Sequence, residues 1–99
     1  CAELYELAVK LATEAGFREN FMGFGYQVPY VGHGVGLEVN ELPIIGKGID
    51  HALEEGMVVA LEPKFVFPGE GVVGVEDTFI IGKTGAQRLG SFPRQVCIV

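Results

Sequence analysis

Residues 57–67 read MVVALEPKFVF and residues 72–81 read VVGVEDTFII. Both stretches are rich in Val, Ile and Phe, side chains that pack well on a pleated surface, so each is expected to form a strand. Pro68-Gly69-Glu70-Gly71 between them is turn chemistry. Gly82-Lys83-Thr84-Gly85 then turns the chain into a further short strand near residues 86–90. Upstream, Leu4, Leu7, Ala8, Leu11, Ala12 and Ala15 recur at the three- and four-residue spacing of an amphipathic helix over residues 2–15. Gly16 is its natural stop. A helix followed by antiparallel strands gives an α+β fold, with one long helix packed on a sheet. The Gly- and aromatic-rich stretch Phe21–Gly36 reads as irregular chain or short strands. Asp50–Gly56 reads as one helical turn, with Asp50 as N-cap and Gly56 as stop.

Composition narrows the function. The 99 residues carry 13 acidic and 7 basic side chains, a formal net charge of −6, with no cluster of Lys and Arg. A nucleic-acid partner is therefore not expected, because phosphate binding needs a basic footprint. No apolar run approaches the roughly 20 residues of a membrane span, so no membrane partner is expected either. Fifteen glycines stand singly among apolar residues, marking turns and close backbone approaches rather than a linker. Cys1 and Cys97 lie at opposite ends without CxxC spacing. They are read most simply as free thiols in a reducing, cytoplasmic setting, a terminal staple being the other option. The chain opens at Cys1 and enters a helical pattern at once, from which a fragment or a processed product is expected.

Three side chains break an otherwise apolar text. Glu62 lies between Leu61 and Pro63; by period-2 alternation it shares a face with Val58, Ala60 and Val66. An ionised carboxylate there costs several kcal/mol unless it is paired or metal-bound. The plain alternative is a solvated sheet edge, which Pro63 would suit. Glu76 repeats the pattern beside Gly74 and Thr78, with Asp77 pointing the other way; its plain alternative is a solvent-facing strand residue. Two such carboxylates repel unless a proton or cation sits between them, and carboxylate with imidazole suits Mn, Fe, Co or Zn. His33 lies in Val31-Gly32-His33-Gly34-Val35-Gly36, where flanking glycines allow close backbone approach to a ligand. Taken alone it reads more readily as a structural or surface histidine than as a ligand, and His51 as an exposed residue of a helical turn.

Other chemistries lack support. Gly82-Lys83-Thr84 would be the end of a P-loop only with glycine at position 77, which is Asp77. Gly23-Phe24-Gly25 lacks a third glycine at Val28. Ser91 is the only serine and stands in a plain Gly-Ser-Phe-Pro tail, and neither cysteine has the surroundings of a nucleophile.

As an ordered set, helix 2–15, Gly32-His33-Gly34-Val35-Gly36-Leu37, Glu41-Leu42-Pro43, Gly56-Met57-Val58-Val59-Ala60-Leu61-Glu62-Pro63 and Val75-Glu76-Asp77-Thr78 resemble the C-terminal half of the pita-bread metallohydrolases. That family contains methionine aminopeptidase, Xaa-Pro aminopeptidase, Xaa-Pro dipeptidase and creatinase, and the phrasing resembles the Xaa-Pro branch. The resemblance implies that residues 1–99 are the C-terminal portion of a metallopeptidase catalytic domain. His33 and Glu62 would bind one metal and Glu76 would bridge two divalent ions (Mn, Co, Fe or Zn). The remaining ligands of the family are aspartates in the preceding half, so the fragment by itself is expected to bind metal poorly, if at all, and to be inactive. The implied reaction is attack of a metal-bridging hydroxide on an N-terminal or dipeptide amide of a short peptide, with His33 and Glu62 catalytic and Glu62 passing the proton to the leaving amine. Homodimers are common in the family and enter as an analogy.

Two positions depart from the family pattern. Asn40 stands where a second His is typical; it can donate a hydrogen bond to substrate but cannot carry a proton. Gly74 stands where Xaa-Pro enzymes often have Arg. Both leave the ligands untouched and open the substrate to question, so a creatinase-like hydrolase of a non-peptide C–N bond and a catalytically silent peptide-binding module stand as alternatives.

Overall fold

The computed structural model describes residues 1–99. Helix α1 spans Ala2–Glu14, and a 3-10 turn follows at Arg18–Asn20. Seven strands come next: β1 Tyr30–Gly34, β2 Glu41–Gly46, β3 Val58–Leu61, β4 Lys64–Phe67, β5 Gly71–Gly74, β6 Asp77–Gly82 and β7 Gly85–Arg88. Five form an antiparallel sheet in the order β2-β1-β3-β6-β7, and β4-β5 is a separate hairpin. The α+β expectation holds.

Helix α1 ends one residue before the expected boundary, in a Schellman motif. Phe17 N–H donates to the Ala12 carbonyl at 2.9 Å and Gly16 N–H to that of Thr13 at 3.0 Å, while Gly16 takes φ +82°. The helix packs over β1 and β2. Tyr5, Ala12, Phe21, Met22, Val31, Ile45 and Val59 form the core, with Leu61, Phe65, Phe79 and Ile81 packed around it. Val31 reaches this core because it is the extra residue of a bulge in β1, which swings it from the face of His33 to that of the helix. Gly32 beside it has no room for a side chain: a Cβ would lie 2.4 Å from the Ala60 carbonyl oxygen.

Two expectations need correction. Residues 57–67 are not one strand, and neither are residues 72–81. The chain leaves the large sheet at Glu62-Pro63, runs through the β4-β5 hairpin, and re-enters at Val75-Glu76. Pro63 therefore marks a change of sheet rather than an edge, and Val66 shares no strand with Glu62. Asp50–Gly56 forms no helical turn. Its backbone is used otherwise: Gly56 N–H donates to Ile81 O at 2.8 Å and Met57 N–H to Glu54 O at 3.1 Å, steering the chain into β3. Within Phe21–Gly36, expected as irregular chain or short strands, Tyr30–Gly34 forms β1; Glu41–Gly46 forms β2, a strand outside the expected set.

Candidate metal centre

The fold brings His33 and Glu62 together and sets Glu76 on a cleft that Glu62 also lines. Across the sheet His33 lies opposite Ala60, and Ala60 opposite Thr78. Glu62 follows directly on β3, beside His33, and Glu76 directly precedes β6, on a cleft that it lines with Glu62. Ala60 and Thr78 are small, which leaves space between the larger groups. The pairing extends past β3, with Glu62 N–H donating to Val31 O at 2.9 Å. Glu62 thus ends the central strand of the sheet and is not on a solvated edge; its side chain is 19% exposed.

His33 is buried, at 5% exposure. Its Nδ1 lies 3.0 Å from the Gly34 carbonyl oxygen. A carbonyl can only accept, so this contact puts the proton on Nδ1 and leaves the Nε2 lone pair facing outward. That Nε2 faces Glu62 Oε1 at 3.6 Å. The separation is too long for a hydrogen bond. It suits two ligands of one ion, whose bonds to nitrogen and oxygen are each about 2.0–2.2 Å. Imidazole nitrogen opposed to carboxylate oxygen is a donor set that fits a divalent transition metal.

Glu62 and Glu76 line one cleft of about 200 Å³ with Pro63, Lys64, Val72, Gly74 and Val75. Glu76 is exposed and engaged in no ion pair. The three groups do not close into a cage: no three His, Cys, Asp or Glu side chains converge closely enough to hold an ion unaided. Asn40 lies on the exposed loop between β1 and β2 and is not among the residues lining the cleft. His51 is exposed, as expected. A larger cavity, about 530 Å³ near the β6–β7 turn, has Glu55 as its only ionisable side chain and offers no ligand set.

Two features went unread in the sequence. Lys64 Nζ donates to Glu62 Oε2 at 2.8 Å; its place two residues after Glu62 was the available signal. Asp77 is gripped by Arg88 Nη1 at 3.0 Å and Arg94 Nε at 2.6 Å. Nothing local pointed to that cluster, which joins β6, β7 and the C-terminal tail. Partial burial would raise the Asp77 pKa, but the hydrogen bonds and charges of the two arginines outweigh it and hold the carboxyl below its ordinary value of 3.8.

With this geometry in view, comparison with known proteins is decisive. Residues 1–83 match metallopeptidase family M24. The chain belongs to that family. It is 40% identical over 84 residues to the Xaa-Pro dipeptidase of Lactobacillus delbrueckii subsp. lactis, covering 85% of this chain and 21% of that protein. To the Xaa-Pro dipeptidase of Pyrococcus furiosus it is 37% identical over 94 residues, covering 95% of this chain and 25% of that one. Among solved structures, the X-Pro aminopeptidase of Thermotoga maritima MSB8 superposes with a TM-score of 0.88 at 30% identity, over 99% of this chain and 26% of its own. Prolidase from Pyrococcus furiosus gives 0.83 at 38% identity, over 94% and 26%. The M24 chain therefore has the pita-bread type of fold and spans about a quarter of the length of these relatives.

Proposed function

We propose that residues 1–99 are the C-terminal portion of the catalytic domain of a dinuclear metal-dependent peptidase of the Xaa-Pro type. The observation that carries this reading is the opposition of His33 Nε2 and Glu62 Oε1, with the imidazole tautomer set by Gly34 and Glu76 on the same cleft. An apolar groove along α1, lined by Leu4, Leu7, Ala8, Leu11, Val31, Leu61 and Pro63, supports the idea that further polypeptide completes the domain.

His33 and Glu62 would hold one divalent ion, and Glu76 would be shared between it and a second. When bound, such ions lower the pKa of water toward neutrality and polarise a scissile carbonyl. The chain's own residues do the rest. His33, buried within β1, keeps its Nε2 directed at Glu62 Oε1. Glu62 takes a proton from the attacking water and passes it toward the leaving amine. Asn40, unable to carry a proton, contributes at most an amide hydrogen bond to substrate.

The test uses the whole protein. Metal content and hydrolysis of Xaa-Pro and non-proline dipeptides are measured for wild type, His33→Ala and Glu76→Gln. Each substitution is expected to remove metal and to lower kcat/KM by about 10³-fold or more, an effect of about 4 kcal/mol. Chelation of the wild type should give the same loss, reversed by Mn2+. Turnover that persists undiminished in Glu76→Gln sinks the bridging role. Turnover of creatine-like substrates without dipeptides would move the assignment to the non-peptide alternative.

A further inference from the structure

The Glu62 carboxylate is divided between two neighbours. Oε1 faces His33 Nε2 at 3.6 Å, and Oε2 accepts a hydrogen bond from Lys64 Nζ at 2.8 Å. A charge-assisted bond of that length fixes the direction of the carboxylate plane.

The fold holds Lys64 in this position. It is the first residue of β4, directly opposite Gly74 of β5. A Cβ on Gly74 would sit 3.0 Å from Lys64 Cβ, so the bare backbone there is what admits the lysine stem. The Lys64 carbonyl accepts from Met22 N–H at 2.9 Å, tying the backbone to the core. Its side chain lines the same cleft as Glu62 and Glu76. Four of the other six Lys and Arg side chains are engaged elsewhere: Lys10 with Glu14, Arg18 with Gln27, and Arg88 and Arg94 with Asp77.

We propose that Lys64 is a positioning residue for the metal centre: by holding Glu62 Oε2 it orients Oε1 beside His33. The proposal rests on the metal-binding reading of His33, Glu62 and Glu76 and adds a residue that touches neither metal nor substrate.

The experiment titrates Mn2+ calorimetrically into the whole protein, stripped of metal, as wild type, Lys64→Met, Lys64→Arg and Glu62→Gln. Melting temperatures of the stripped forms are recorded alongside. Lys64→Met is expected to weaken Mn2+ binding about 10- to 100-fold, the range for partners of metal ligands, with the melting temperature of the stripped form unchanged. Lys64→Arg should restore most of the affinity. Unchanged or tighter binding in Lys64→Met overturns the proposal; tighter binding would make the lysine a blocker. Equal losses in the Met and Arg variants overturn it too, because the charge would then be irrelevant. A lowered melting temperature with unaltered affinity assigns the lysine a structural role only, and also overturns it. Should Lys64→Met not fold, Lys64→Gln replaces it under the same criteria. Wild-type affinity in Glu62→Gln would refute the metal reading itself. Loss there with full affinity in Lys64→Met would leave that reading standing and remove only the role of Lys64.

Discussion

A carboxylate's behaviour depends on what stands within a few ångströms of it, and Glu62, Glu76 and Asp77 show three outcomes within sixteen residues of chain. Glu62 is divided between imidazole and ammonium, Glu76 is left free on the cleft, and Asp77 is gripped by two arginines. Because the folded Asp77 pKa is depressed, its contribution to stability is complete above the ordinary value of 3.8 and is lost as pH falls below that value through the folded pKa. Asp77→Asn is expected to flatten that acid limb; denaturant midpoints for the two forms, measured between pH 5 and pH 2, would converge toward the acid end. Parallel curves would show that the arginine contacts do not persist in solution. Glu62 and Glu76 stood out in the sequence because apolar surroundings make an ionised group costly. Arg94 did not, because it lies in the C-terminal tail, 17 residues from its partner on β6.

Elements rather than residues decide the glycines. Gly16 and Gly32 look alike in sequence, yet they answer different demands. Gly16 closes α1 at φ +82° with nothing within 4 Å of a would-be Cβ, so Gly16→Ala should cost only the backbone strain, about 1–2 kcal/mol. Gly32 sits where β1 approaches β3, and Gly32→Ala would place Cβ against the Ala60 carbonyl. A fixed backbone atom cannot yield as a side chain can, so this substitution should cost about 1–3 kcal/mol at the least and disturb His33, its neighbour. Urea unfolding of both variants checks the order; a cheaper Gly32→Ala would contradict the close approach. The same strands explain the split of residues 57–67. Strand propensity reads continuously across Leu61-Glu62-Pro63-Lys64, because it reports how well a side chain suits a pleated surface and not which sheet receives it.

On the scale of the whole molecule, only 13 of 99 residues are buried, which leaves one side of α1 uncovered. Leu7 and Leu11 are 50% and 57% exposed although they belong to the helix's apolar positions. The helix rests on the sheet through Tyr5 and Ala12 instead. Leu7→Gln with Leu11→Gln in residues 1–99 is therefore expected to reduce binding of a hydrophobic dye while shifting the melting temperature little. A large drop in melting temperature would mean that these leucines carry the core. No helix is long and apolar enough to cross a membrane.

By itself the sequence determined the helix, the strand-rich second half, the two carboxylates and the imidazole. Each rests on local signals: apolar spacing of 3.6 or 2, a glycine stop, and ionisable groups embedded where desolvation is costly. Tertiary structure decided what those groups face. Pairing of β1 with β3 and β3 with β6 sets His33, Ala60 and Thr78 in one row. The change of sheet at Pro63 brings Lys64 onto Glu62, and the turn from β6 to β7 delivers Arg88 to Asp77. Register and crossover depend on contacts between residues distant in the chain, which no local pattern encodes.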